Sequence, residues 1–300
     1  MELVERLKQA LDYIEQHLTE ATDYETLARI ALCSQHQFQK NFSFLVGVPL
    51  SEYVRRRRMT LAAFELQNSG NKVIDIALKY GYESPEAFSR AFLSVHGVSP
   101  SAARCAKTPL HAYPRLSLQI TVQGVARMEY KIVNREAFTV LGIERMFTME
   151  NDQNLIDIPK FWKEHLQNGE VNKLAASAGY HDNCEGDSGR CPVGGICSYG
   201  KVEGMRFPYM LFAEKTRDSS CAGYTELTVP AATWAVFRSE PYTGSDDSLT
   251  SACQNLYRRI YREWFPTASY VEQPGYEMEV YYWSKTGMAY MEVWVRVQPK

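Results

Sequence analysis

The sequence predicts two domains of different class. The first is all-α, two helix-turn-helix units joined by a linker helix; the second is α+β, two β-α-β-β repeats making a pseudo-twofold antiparallel sheet. Three observations carry this reading. An apolar pattern recurs fifty residues apart within the first hundred. Beyond about residue 126 the apolar period changes from helical to alternating. The alternating half then repeats its own plan, V-P-A-A-T-W-A-V answering V-N-R-E-A-F-T-V.

The helical domain spans residues 1–108. Leu3, Leu7, Leu11, Ile14 and Leu18 fall three or four apart, so residues 2–18 form an amphipathic helix. Thr22 or Asp23 starts a second helix carrying Leu27, Ala28 and Ala31. Ser34 opens a third, to Leu45, with Phe38 and Phe42 turned inward. Leu50 to Gln67 is the linker helix, with Tyr53, Val54, Leu61, Phe64 and the run Arg55 to Arg58. Ile74, Ile76, Ala77 and Tyr80 put apolar groups on one face of a short helix ended by Gly81. Ser84 caps the next, Pro85 suits its first position, and Phe88, Ala91, Phe92 and Val95 make its buried stripe before Gly97 and Pro100 stop it. Ser34, Phe38, Phe42, Gly47 and Val48 recur in step with Ser84, Phe88, Phe92, Gly97 and Val98, which marks a duplicated unit.

A helix-turn-helix offers the outer face of its second helix to the DNA major groove. In the first unit that face is Gln35, His36, Gln39 and Lys40. Glutamine can bond adenine on two atoms and lysine can reach guanine acceptors. In the second it is Pro85, Glu86, Ser89 and Arg90, where only Arg90 is an obvious contact and the backbone is the main target. A merely solvated polar face is the competing reading of both. Arg55 and Arg56 are assigned to DNA contact, with the choice of which arginines of the run meet phosphate left open; the four cannot all face DNA, because a helix turns about 100° per residue, so at least one pairs or stacks internally.

The run I-A-L-K-Y-G-Y-E-S-P-E-A-F-S-R-A-F followed by G-V-S-P resembles the signature of the AraC/XylS family of transcription regulators, and the likeness covers about residues 5–105. The resemblance implies two units entering successive major grooves of double-stranded DNA, base contacts at His36, Gln39 and Lys40, and RNA polymerase as a partner.

Composition fits a regulator rather than a general nucleic-acid coat. Net charge is −2, and residues 1–110 hold 13 Lys and Arg against 12 Asp and Glu, so affinity must come from local placement such as the arginine run, Lys40 and Arg90. An apolar fraction of 45% with 12% aromatics suffices for two cores. No segment reaches the roughly 18 apolar residues of a membrane span, and the expected location is the cytoplasm. There is no Ser-His-Asp arrangement or P-loop; no enzyme activity and no cofactor is expected.

Residues 109–126 read as a linker, with alternation at Leu116, Leu118, Ile120 and Val122 that admits a first strand. From 127 to 300, Met128–Val133 and Ala137–Ile143 form a hairpin-like pair, Ile158–Leu166 a helix, and Gly195–Gly200 and Tyr209–Glu214 strands. The plan repeats with Glu226–Val229, Thr233–Phe237, a helix from Leu249 to Trp264 opened by Asp246 and Asp247, and closing strands Glu277–Trp283 and Tyr290–Val297. Seven cysteines in a reducing compartment read as free thiols, Cys33, Cys105 and Cys253 among them. His181, Cys184, Cys191 and Cys197 could form a tetrahedral zinc site, but their spacing fits no zinc knuckle, and a glycine-rich surface insertion is the preferred reading.

I-P-K-F-W, V-P-A-A-T-W-A-V-F, I-Y-R-E-W-F-P and Y-M-E-V-W-V-R-V resemble landmarks of the GyrI-like effector-binding fold, over about residues 127–298. The resemblance implies a cleft for a bulky hydrophobic or cationic effector, with aromatic walls and one acid. Glu292 matches the acid on the last strand, and by alternation it shares a face with Tyr290 and Trp294. Trp162, Tyr209, Trp234, Tyr281 and Trp283 are candidate wall residues, each also readable as core; a salt-bridged or solvated Glu292 is the competing reading there. Two alternatives stand beside an effector sensor: a hydrolase-like module using Trp234 and Glu292, or a module that binds a protein partner.

Overall fold

In the computed structural model the chain forms two compact units, Met1–Val122 and Gln123–Lys300. The structure describes residues 2–105, 107–116, 127–150, 153–180, 189–200, 204–221, 223–243, 246–283 and 288–300, with backbone alone at 2–4, 246 and 247. The side chains of Leu3, Asp246 and Asp247, the region of the proposed first strand beyond Leu116, and His181 and Cys184 lie outside the described residues.

The first unit is helical: α1 (Glu2–Gln16), α2 (Tyr24–Ala31), α3 (Gln35–Val46), α4 (Leu50–Asn68), α5 (Val73–Lys79), α6 (Pro85–His96) and α7 (Pro100–Ala103). The repeated residues act as caps. Ser34 Oγ accepts from Gln37 N, and Ser84 Oγ from Ala87 N, each at 3.1 Å. Gly47 and Gly97 end α3 and α6 at φ 85° and 72°, a left-handed conformation that glycine takes without Cβ strain. Around them sit two cores. Leu11, Leu27, Phe38, Phe42 and Tyr53 belong to one; Met59, Ile76, Phe88, Phe92 and Val95 belong to the other. Helix α4 serves both, its first turns lying in the first core and its last turns in the second.

Ile74 departs from expectation, being 46% exposed. It lies two residues from Ile76, about 200° around a helix, so the pair cannot share a face; Val73, Ile76, Ala77 and Tyr80 can.

The second unit is a nine-stranded antiparallel sheet: β1 (Glu129–Arg135), β2 (Phe138–Thr148), β3 (Val193–Cys197), β4 (Arg206–Glu214), β5 (Thr225–Val229), β6 (Ala232–Arg238), β7 (Tyr242–Thr243), β8 (Tyr270–Trp283) and β9 (Met288–Pro299). Helices α8 (Asn154–Gln167), α9 (Glu170–Ser177) and α10 (Asp246–Arg259) join it, and α10 runs on into a π-helical turn at Ile260–Trp264. The strand order is β1-β6-β9-β8-β3-β4-β2-β5, with β7 on β9.

That order corrects two expectations. β1 and β2 are not a hairpin: β1 pairs with β6, and β2 pairs with β4 and β5. The first half contributes two strands before its helical segment and the second half three, counting the short β7, not one each, and α9 is an unforeseen addition. Alternation locates strands, but their partners are fixed by shape. Only Glu136 and Ala137 separate β1 from β2, a reach of at most about 11 Å, whereas six strand spacings of a flat sheet span about 29 Å. Pro230 and Ala231 join β5 to β6 under the same constraint. The sheet must curl until its ends approach, and Arg135 of β1 then makes a two-pronged bond to Glu214 of β4 at 3.3 and 3.0 Å.

The curl gives the sheet two faces. Its inside holds Val140, Ile196, Met210, Phe212, Trp234, Val236, Met278 and Trp294. Its outside carries Leu141, Phe147, Val193, Tyr209 and Leu211, which meet Phe161 of α8 and Val171 and Leu174 of α9.

Candidate functional site

The DNA-facing residues separate into open and held groups. Glu86 and Arg90 on α6 are exposed and Ser89 is half-buried, so the second recognition helix presents its predicted outer face. On α3 only Gln35 and Lys40 are half-exposed. His36 and Gln39 are buried, at 4% and 5% exposure, against the expectation of an open polar face. His36 lies about 200° around the helix from Phe38, so its burial is not something that the periodicity of the core side reveals. Burial, with Lys40 adding to it, pushes the His36 imidazole down to about 3.

The arginine run divides in two. Arg57 is buried and bonds Glu15 through Nε and Nη2 at 2.8 Å each, while its Nη1 donates to the Tyr113 carbonyl at 2.6 Å. Burial alone would raise the Glu15 carboxyl, but hydrogen bonds from Arg57 and Tyr53 hold it below its usual value. Arg58 Nε donates to the Leu18 carbonyl at 2.8 Å, tying α4 to the end of α1. Arg55 and Arg56 remain at the surface, both bonded to Glu52.

In the second unit the wall residues chosen from sequence fall on opposite faces of the sheet. Trp234 is fully buried inside the curl, its ring 6.2 Å from Trp294 in an edge-on contact. Glu292 is beside them at 7% exposure, accepting from Tyr282 Oη and Trp294 Nε1 at 3.1 Å each and ion-paired with Lys131 Nζ at 3.2 Å. Its alternation partners are as expected, but its charge is already met, which matches the salt-bridge reading. Trp162, Tyr209 and Tyr281 are on the outside of the curl. Trp283 is there too, exposed at the end of β8.

At the centre of that outer face is an acid the sequence reading passed over. Glu279 on β8 accepts from Tyr281 Oη at 2.8 Å and from Tyr257 Oη at 3.2 Å, with Cys253 Sγ at 3.7 Å. Trp162 of α8 donates to Tyr209 Oη at 2.7 Å and meets Tyr281 edge-on at 5.5 Å between ring centroids. Helix α10 thus reaches the carboxylate through Cys253 and Tyr257, while α8 comes no nearer than Trp162 against Tyr281, the carboxylate's other tyrosine donor. Glu279 is half-buried, and no lysine or arginine pairs with it among the described residues. Burial, then the Glu279 charge, pushes the Tyr209, Tyr257 and Tyr281 hydroxyls well above their usual values. Gly195 forms the floor, since a Cβ there would overlap the Tyr209 hydroxyl.

Residues 128–298 match the GyrI-like small molecule binding domain, and residues 27–106 match a helix-turn-helix domain. The chain belongs to the GyrI-like family, joined to an AraC-type helix-turn-helix domain. The AraC-type unit is 39% identical over 102 residues to the HTH-type transcriptional activator AarP of Providencia stuartii, covering 34% of this chain and 76% of AarP. A longer match to the right origin-binding protein of Escherichia coli (strain K12) is 24% identical over 167 residues and covers 54% of this chain and 57% of that protein. Among solved structures, SAV2435 bound to tetraphenylphosphonium matches with a TM-score of 0.43 and 18% identity, over 57% of this chain and 94% of that one.

A signal for Glu279 is present in the GyrI-like unit's sequence. In Y-E-M-E-V-Y-Y-W, alternation puts Glu277, Glu279, Tyr281 and Trp283 on one face, so two of the chosen wall residues already pointed to it. Tyr257 and Cys253 carried none, because helix periodicity shows them only as an inward face. Cys191 and Cys197 pack against the helix-side core, and no group of three or more potential metal ligands occurs among the described residues. No described helix is long and apolar enough to cross a membrane.

Proposed function

We propose that the chain is a ligand-responsive transcription regulator whose effector is a bulky, weakly hydrated organic cation held over Glu279. One observation carries the reading: a half-buried carboxylate, accepting from two tyrosines and paired with no basic residue among the described residues, between aromatic side chains from both helical segments. An organic cation that loses little hydration supplies the missing charge, and the Trp162 and Tyr281 rings favour it by their negative faces. Tyrosine donors fix the carboxylate without neutralising it. The AraC-type unit supplies DNA binding, through Gln35, Lys40, Glu86, Ser89 and Arg90. RNA polymerase contact belongs to the same proposal, and run-off transcription with and without the effector checks it. Relatives named as transcriptional regulators support a regulator over an enzyme. Full burial of Trp234 and the Lys131 pairing of Glu292 give the hydrolase-like alternative no support.

The test is tryptophan fluorescence of the full chain titrated with tetraphenylphosphonium, beside neutral triphenylphosphine oxide. Saturable quenching by the cation alone, lost in Glu279→Gln and kept in Glu292→Gln, is the expected result. Equal binding of both compounds, or survival of cation binding in Glu279→Gln, would sink the assignment.

A further inference from the structure

Glu52, in the first turn of α4, holds two guanidiniums at once. Its carboxylate accepts from Arg55 Nε at 2.7 Å and Arg55 Nη2 at 3.0 Å, and also from Arg56 Nε. The i, i+3, i+4 spacing puts all three on one stripe of the helix. Arg55 Nη1 donates to Ser94 Oγ of α6 at 2.7 Å, and the Arg56 guanidinium lies 4.9 Å from the centre of the Tyr113 ring. Helix α4 begins just after α3, with Gly47, Val48 and Pro49 between. The cluster is therefore joined through the chain to one recognition helix and through Arg55 to the other. The arginine side chains are 37% and 33% exposed, so a phosphate can reach them.

We propose that Glu52 is an electrostatic latch, a carboxylate standing in for a DNA phosphate, that occupies Arg55 and Arg56 and holds down the sequence-independent affinity of the AraC-type unit. The proposal rests on the DNA-binding reading above. A guanidinium fork binds carboxylate and phosphate with the same geometry, so the two compete for it. Partly exposed ion pairs are weak, so the exchange is reversible. A phosphate fixed by good base contacts nearby takes the arginines; one passing without such contacts meets a neutralised surface and a repelling carboxylate. Arg57 and Arg58 do not compete, because Glu15 and main-chain carbonyls hold them from within. The latch thus adds specificity by subtracting non-specific binding.

The experiment measures binding of the full chain and of Glu52→Gln to a mixed-sequence duplex of about 40 base pairs, by fluorescence anisotropy across a salt series. Freeing two arginines steepens the logarithmic salt slope by about 1 to 2, at about 0.9 per phosphate, and tightens binding about fivefold at the lowest salt. Arg55→Gln and Arg56→Gln each take about 0.9 off the slope in the Glu52→Gln protein and change the parent little. Equal slopes for parent and Glu52→Gln, both folding cooperatively, overturn the latch and leave DNA binding standing. No binding by either protein at any salt overturns both. Should Glu52→Gln fail to fold, the single arginine variants decide: a full loss of slope in the parent places those arginines on phosphate already and overturns the latch, whereas an unchanged slope supports it.

Discussion

Glu279 and Glu292 stand on adjacent strands of one sheet, at positions one step apart in register: Glu279 opposite Val293, and Val280 opposite Glu292. Both accept hydrogen bonds from tyrosine and both have tryptophan nearby. They differ in what meets the charge. Glu292, inside the curl, has Lys131 at 3.2 Å, and the Arg135 guanidinium lies 5.6 Å from the ring of its neighbour Trp294. Glu279, under the helices, has tyrosines and a thiol. The charge of Glu292 is met by a basic side chain, whereas Glu279 has only neutral donors among the described residues, which is the ground for proposing a cation there. Aromatic company, which the two share, does not distinguish them.

The sharpest way to break this comparison is charge removal on each side. Glu279→Gln is expected to weaken tetraphenylphosphonium binding about 100-fold, in line with a lost charge-assisted contact in a partly desolvated site, and Glu292→Gln to leave it within about twofold. Fluorescence titration of both variants decides; matching losses would erase the distinction drawn here.

Closing the floor comes next. Gly195→Ala pushes a methyl group into the Tyr209 hydroxyl and disturbs its bond from Trp162. Binding should fall about tenfold, with about 1–3 kcal/mol of stability lost to overpacking. Titration and chemical denaturation of the same variant separate the two effects.

On the other face the expected effect is on stability alone. Lys131→Met leaves Glu292 at 7% exposure with only Tyr282 and Trp294 as donors. Because the lysine side chain is itself 57% exposed, its loss should cost only about 1 kcal/mol, well below the figure for a fully buried pair. Denaturation midpoints check the cost. Cation affinity should stay unchanged, and a fall would place Glu292 in the site after all.

The smallest expected effect is a flat line. Tyr209, Tyr257 and Tyr281 ionise well above their ordinary range, so the surroundings of Glu279 keep neutral tyrosine hydroxyls as pH rises from 8 to about 10. Cation affinity should be constant over that range, and a climb would reveal a phenolate joining Glu279. Above about pH 10 the unfolded chain loses phenolic protons that the native unit keeps, so stability falls as pH rises further. Tyr281→Phe should lessen that fall, as thermal melts at a series of alkaline pH values would show.

Much of the helical unit was legible because its information is local. Ser34, Ser84, Gly47 and Gly97 mark helix ends through contacts within four residues, and Phe38, Phe42, Phe88 and Phe92 mark buried faces by spacing alone. The misplacement of Ile74 shows the same rule from the other side, since two-residue spacing contradicts a shared helical face and the sequence already held that fact. In the sheet, alternation put Glu292 with Trp294, as found, and it would have put Glu279 with Tyr281 had that acid been picked out. It could not say which strands are neighbours, which face the helices cover, or where a strand's inner side is.

What the sequence determined by itself, then, is the kind of each half: two capped helical pairs with inward aromatics, and a sheet of alternating strands with acids and aromatics on chosen sides. Tertiary structure decided which acid has a basic partner and which arginines are held from within. Lys131 reaches Glu292 across 161 residues of chain, Glu15 reaches Arg57 across 42, and Tyr257 reaches Glu279 across 22. Electrostatic attraction acts over a few ångströms in space and takes no account of separation along the chain, so whether a charge is met depends on the curl of the sheet and the seating of the helices.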